Sequence, residues 1–161
     1  VDLDHPDLRD NIWRNPGEIA GDGVDNDRNG FVDDASGWNF VEKNANTNPV
    51  ASANSNPLLV SHGTAVAGVI AAVGNNQEGI SGVAWRTQIM PLRILNSEGV
   101  SNDLEPVLEA MRYAVRNGAD IINLSFVAEF DTQSSEPVQA LTDVIKLARD
   151  AGVIVVAAGV R

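Results

Sequence analysis

From Ser61 onward the chain alternates regular apolar blocks with capping residues. Residues 1–58 instead scatter short apolar islands, such as Gly37-Trp38-Asn39-Phe40-Val41, among Asp, Asn, Gly and Pro. Val66, Val69, Ile70 and Val73 recur at helical spacing, with Gly63, Ala65, Ala67, Gly68, Ala71 and Ala72 between them. That pattern predicts a helix opening near Ser61, close to neighbouring backbone and buried. Ile89–Leu95 is a short apolar run that reads as a strand, weakened by Pro91. Asn102 is placed to cap a second helix, with Glu105 at the capping-box position and Leu104, Val107, Leu108, Met111 and Val115 on one face. Gly118 falls where a C′ glycine belongs. Ile121–Phe126 then predicts a strand, Pro137–Ala151 a helix ended by Gly152, and Val153–Ala158 a further strand. Apolar strands alternating with helices are the mark of an α/β domain with a parallel sheet and right-handed crossovers.

Composition narrows the class. The 161 residues suffice for one domain, 1–161, with no internal repeat, and 43–57 reads as a polar surface loop. No apolar run approaches the ~20 residues of a membrane span. With 22 acidic and 11 basic residues the net charge is −11, which argues against nucleic acid and anionic membrane and suits a cation-binding protein. There is no cysteine, hence no disulfide frame and no thiol chemistry. The chain starts at Val1 without a methionine and its last strand is followed by no covering helix, so a domain truncated at both ends is expected.

Residues 21–34, GDGVDNDRNGFVDD, hold Asp22, Asp25, Asp27, Asp33 and Asp34 against the single Arg28. Hard cations such as calcium take six to eight oxygens, which Asp-x-Asp-x-Asn-Gly supplies at alternate positions of a tight loop. Asp25, Asp27 and Asn29 fill the first three ligand places, Gly30 permits the sharp turn, Phe31 offers its carbonyl, and Asp33 or Asp34 closes the ring. This is no EF-hand, because Ser36 stands where the closing glutamate belongs. The competing reading is a solvated turn, in which Asp, Asn and Gly are common. Mutual repulsion of so many carboxylates favours calcium.

The two histidines differ. His5, before a proline, reads as a turn residue. His62, in Ser61-His62-Gly63-Thr64-Ala65-Val66-Ala67-Gly68, stands at a helix start with glycine leaving room beside it, where imidazole can act as a general base. A base still needs a nucleophile and an orienting partner.

His62-Gly63-Thr64-x-Val66-Ala67-Gly68 resembles the histidine motif of subtilisin-like serine proteases, the subtilases. Val1–Leu8 is similar to the segment after that family's catalytic aspartate, and Gly79–Ala84 to its Gly-x-x-Gly-Val-Ala. Asn117–Ser125 resembles the stretch ending in the substrate-binding strand, and Val153–Gly159 the strand leading to the oxyanion asparagine. The segments stand in family order over almost the whole chain, and the acidic loop matches an insertion found in many members. The resemblance implies a three-layer fold with a mainly parallel sheet and a calcium-binding, secreted or cell-surface serine endopeptidase. It further implies His62 as general base. Leu124, Ser125 and Phe126 would pair with an extended peptide as an added strand, and Leu95–Gly99 would line its other side. Asp7 and Asn76 match the ligands of a second calcium site. Peptide or protein substrate and the protein's own propeptide are the implied partners of a monomer.

There are departures. The family's aspartate would precede Val1, and its serine motif would follow Arg161. Val160 stands where the oxyanion asparagine is expected, and Val127 replaces a glycine that usually follows Ser-Phe. Ser61 and Ser125 do not qualify as nucleophiles. With one triad member of three, the chain alone is expected to be inactive. The alternatives are an inactive relative that keeps the fold, or a non-catalytic calcium-binding module that interacts with other proteins.

Overall fold

The computed structural model describes residues 1–53, 55–99, 101, 103–126 and 135–159, in two compact units that divide after Val100. Asn102, Val127 and Val160 lie outside the described residues.

In the first unit a short 3₁₀ turn, Arg9–Asn11, precedes strand β1 (Trp38–Asn39), helix α1 (Pro57–Ala71) and strand β2 (Leu92–Arg93). β1 and β2 are parallel, with Trp38 opposite Leu92 and Asn39 opposite Arg93; Ile12 and Ile89 form a further parallel bridge. The predicted strand Ile89–Leu95 therefore contracts to two residues, since Pro91 has no N–H for a ladder.

Helix α1 begins four residues earlier than its apolar pattern suggested. The Asn56 side chain accepts from the Leu58 N–H, and Pro57 occupies the first helical position. Proline there sacrifices only an N–H that has no intrahelical acceptor. His62 consequently rides on the second turn, not the first.

On α1 the small residues carry the burial. Ala67, Gly68 and Ala71 are buried, whereas Val69 is 59% exposed. Small side chains let this face meet Leu8 and Ile12, around which Val1, Leu3 and Ile89 pack. Asn11 ties the arrangement down, its side-chain amide donating to the carbonyls of Ala71 (2.7 Å) and Trp85 (2.9 Å). The N–H groups of Gly82, Val83 and Ala84 donate to the carbonyls of Ala72, Val69 and Ile70. The Gly-x-x-Gly-Val-Ala segment thus satisfies carbonyls at the helix end that lack intrahelical donors.

In the second unit, α2 (Glu105–Arg116), β3 (Ile121–Leu124), α3 (Ser135–Asp150) and β4 (Ile154–Ala157) follow one another. β3 and β4 are parallel, in register from Ile121 with Ile154 to Leu124 with Ala157, so β3–α3–β4 is the predicted crossover unit. Helix α2 buries Val107, Leu108, Met111 and Tyr113, and α3 packs against it and β4. Leu104 takes the N-cap position of α2 without a side-chain cap. Gly118 and Gly152 follow the helices at φ of +75° and +80°, the left-handed conformation that ends a helix readily at glycine. α3 starts at Ser135, so Pro137 falls in its first turn, where its missing N–H is not needed. Helices with parallel strands in both units make the chain α/β.

Candidate active site and metal centre

His62 is exposed on α1, and its surroundings are assembled from distant parts of the first unit. The Asp2 N–H donates to Thr64 Oγ1 at 2.9 Å, and a Cβ built on Gly63 would lie 3.8 Å from both the Val1 nitrogen and its Cγ2. The chain from Val1 therefore leaves directly beside the residue following His62.

One turn before His62, on the same side of the helix, stands Leu59. A Cβ on Gly99 would be 2.9 Å from the Leu59 Cβ, and Gly99 itself has φ of +80°. The segment Leu95–Gly99 thus has Gly99, at its end, laid against α1 at Leu59, one turn before His62. Its course is fixed by Arg93, whose Nε donates to the Leu95 carbonyl at 3.0 Å, and by Ser55, whose hydroxyl donates to the Ser97 carbonyl. Ser61 is occupied within the helix, donating to the Pro57 carbonyl at 2.9 Å.

In the second unit Leu124 ends β3, its carbonyl accepting from the Ala158 N–H at 3.0 Å. The Ser125 hydroxyl accepts from the Asn123 amide at 2.9 Å, and Phe126 follows, half-buried.

Asp7 and Asn76, far apart in sequence, come together. The Asn76 amide donates to Asp7 Oδ1 at 2.7 Å, and the Ile80 N–H donates to Oδ2 at 2.9 Å. A Cβ on Gly79 would collide with that same Oδ2 at 2.4 Å. Asp7 is 2% exposed. The Asn76 amide above all, then the Ile80 N–H, hold its carboxyl below the ordinary range for aspartate, because both bonds favour the ionised form.

The acidic loop divides its carboxylates between two tasks. Asp33 Oδ1 accepts from the N–H groups of Gly21, Asp22 and Gly23, Asp22 from Val24 and the Asn26 side chain, and Asp25 from Asn29 and Gly30. These shape the turns, with Gly30 at φ of +95°. Asp27 and Asp34 converge with Glu18, each offering an oxygen within 4.8 Å of the others, while Glu18 also accepts from the N–H groups of Asn26, Asp27 and Asp33 and Asp27 from that of Asn29. Asn15 and Asn29 join them: each side-chain amide donates to both Asp27 and Asp34 at 2.9–3.1 Å. Phe31 stacks edge-on against Trp38 and Phe40 beneath the loop.

Three converging carboxylates are oxygen donors of the kind hard cations take, so this acidic cluster could hold a metal ion, while the oxygens of Asn15 and Asn29 accept from the N–H groups of Gly17 and Phe31. Glu18 was missed in the sequence because it lies outside the aspartate run. Gly17 beside it permits the close approach, since a Cβ there would come 2.6 Å from the Asp27 Cβ.

A family model described as the subtilase family matches residues 1–159. The chain belongs to the subtilase family. Among curated subtilases it is 37% identical over 135 residues to Subtilisin-like protease 1 of Plasmodium falciparum (isolate 3D7), covering 83% of this chain and 18% of that protein. It is 39% identical over 100 residues to the Thermophilic serine proteinase of Bacillus sp. (strain AK1), covering 62% of this chain and 23% of that one. With the Cell wall-associated protease of Bacillus subtilis (strain 168) the identity is 36% over 110 residues, 66% of this chain and 11% of the relative. The chain therefore spans about a fifth of the length of the first of these subtilases.

Proposed function

We propose that these residues form the histidine-bearing part of a subtilisin-like serine endopeptidase that cleaves peptide or protein substrates through an acyl-enzyme. The observation that carries this reading is the seating of Val1 and Asp2 against Gly63 and Thr64. On the family resemblance, an aspartate before Val1 would then lie near His62 and orient the imidazole. His62 would then take the proton of a serine supplied from elsewhere in the protein and return it to the leaving amine. Leu95–Gly99 would form one wall of the peptide cleft, with Leu124, Ser125 and Phe126 offering backbone to an extended substrate.

Calcium is the cofactor of this proposal. Glu18, Asp27 and Asp34, with Asn29 beside them, would hold one ion, and the remaining loop ligands Asp22, Asp25, Phe31 and Asp33 would shape or complete the site. Asp7 and Asn76 would serve a second. When bound, the ion neutralises crowded carboxylates and stiffens the loops; no chemical step passes through it. Secretion or display at the cell surface is supported by the relative named as cell wall-associated. Among the described residues, no helix is long and apolar enough to cross a membrane.

The test uses the longest natural polypeptide that contains these residues. It should hydrolyse a chromogenic peptide, lose that activity on treatment with a sulfonyl fluoride, and lose it equally in His62→Ala. Undiminished turnover by H62A would overturn the proposal, and residues 1–161 alone should show no turnover.

A further inference from the structure

The peptide-cleft wall Leu95–Gly99 rests on a charged anchor that the motifs of the family did not single out. The Arg93 side chain is 9% exposed although arginine is normally a surface residue. Each of its nitrogens is committed: Nε donates to the Leu95 carbonyl at 3.0 Å, Nη1 to the Asn48 carbonyl at 3.4 Å, and Nη2 lies 3.5 Å from Glu42 Oε1. Asn48 in turn accepts from the Leu3 N–H at 2.9 Å, in the segment that runs on from Val1 beside Gly63. A second tie from the same polar loop, Ser55 to the Ser97 carbonyl, holds the wall two residues further on.

We infer that Arg93 is a positioning residue that sets how an extended peptide docks, by locking the backbone of Leu95–Gly99 to the 42–55 loop. The inference rests on the endopeptidase reading above. A buried guanidinium that binds two carbonyls and a carboxylate spends all three nitrogens on geometry. Methionine in its place keeps much of the packing volume but leaves the Leu95 and Asn48 carbonyls without donors, so the wall loses its fixed course. Substrates long enough to touch the wall should feel this, while a substrate occupying only the residue before the scissile bond should not.

The experiment compares the longest natural polypeptide containing these residues with its Arg93→Met and Ser55→Ala variants on a tetrapeptide anilide and on a single-residue ester. The expected result for R93M is a KM for the tetrapeptide raised about tenfold with the kcat for the ester within about twofold of the parent. S55A, a milder change, should move the tetrapeptide KM in the same direction by about two- to threefold. Unchanged tetrapeptide KM in R93M overturns the inference, as does an equal loss on both substrates, which would mark a purely structural arginine. Should R93M fail to fold, Arg93→Lys, which keeps the charge but not the forked donors, decides on the same two substrates, with a raised tetrapeptide KM expected and an unchanged one overturning the inference. A parent that turns over neither substrate brings down the endopeptidase reading itself, whereas an active parent with indifferent variants brings down this inference alone.

Discussion

The Asp2 backbone N–H donates to the Thr64 hydroxyl at 2.9 Å, joining residues 62 positions apart and setting the start of the chain beside the helix turn that carries His62. Replacing Thr64 with valine keeps the shape and leaves the Asp2 N–H without its acceptor, a change that should cost about 1 kcal/mol of stability. Denaturant unfolding of T64V checks that figure. On the endopeptidase proposal, kcat of the whole protein should fall more than KM rises, because the displaced segment would lead to the proposed partner of the base and not to a contact with substrate. Thr64→Ser should restore most of both.

Asp7 links acidity to folding. Its carboxyl is held below its ordinary value, so its ionised form stabilises the fold at any pH above the unfolded value of about 3.9. That contribution is lost as pH falls through the lowered folded value, which places the loss on the acid side of pH 4. In calcium-free buffer, Asp7→Asn should have a lower thermal midpoint at pH 7 than the parent. The difference should narrow steadily as pH drops below 4. A constant difference down to the acid unfolding limit would contradict the assignment.

How much of this was readable in advance depends on the range over which each signal acts. Gly118 and Gly152 end their helices as their local patterns dictate, and β3–α3–β4 follows from two apolar runs around one amphipathic helix. The His62 motif is likewise a local string. The start of α1 was obscured because Asn56 and Pro57 look like loop residues until the cap bond to Leu58 is seen. The close approach of α1 follows from its small residues, since Ala67, Gly68 and Ala71 are its buried positions and Ala67 packs with Leu8 and Ile12. Glu18, Arg93 and the Asn11 bridge to Ala71 and Trp85 emerge only from long-range closure, for which a single sequence has no periodic signature.

The division of the acidic loop into shaping and converging carboxylates gives a ranking for metal binding. Calcium added at a hundredfold excess over its dissociation constant should raise unfolding free energy by about 2.7 kcal/mol, and a chelator should remove the gain. Asp34→Asn and Glu18→Gln, each removing a charge from the converging cluster, should abolish most of that increment. Asp22→Asn, which acts on an exposed carboxylate already engaged by Val24 and Asn26, should reduce it less. Isothermal titration with calcium on the four proteins distinguishes the ranking from a diffuse effect of net charge, for which all three losses would be equal.

Glycines around α1 make the last and sharpest contrast. A Cβ on Gly82 would meet the Ala72 nitrogen at 2.4 Å and the Ala71 nitrogen at 2.8 Å, both backbone atoms in a helix end that cannot retreat. Gly82→Ala must therefore push the 79–84 segment away from α1 and stretch the bonds from Gly82, Val83 and Ala84 that satisfy the helix carbonyls. A loss of about 3 kcal/mol or more is expected. Gly68, buried on the same helix, would bring a Cβ to 3.7 Å from Ile80 Cδ1, an ordinary contact. Alanine there fits and removes the helix penalty of glycine, so Gly68→Ala should be neutral or stabilising by up to about 1 kcal/mol. Opposite signs for the two substitutions in parallel thermal melts are the expected outcome. A Gly82→Ala protein as stable as its parent would mean that 79–84 does not clamp the end of the histidine helix.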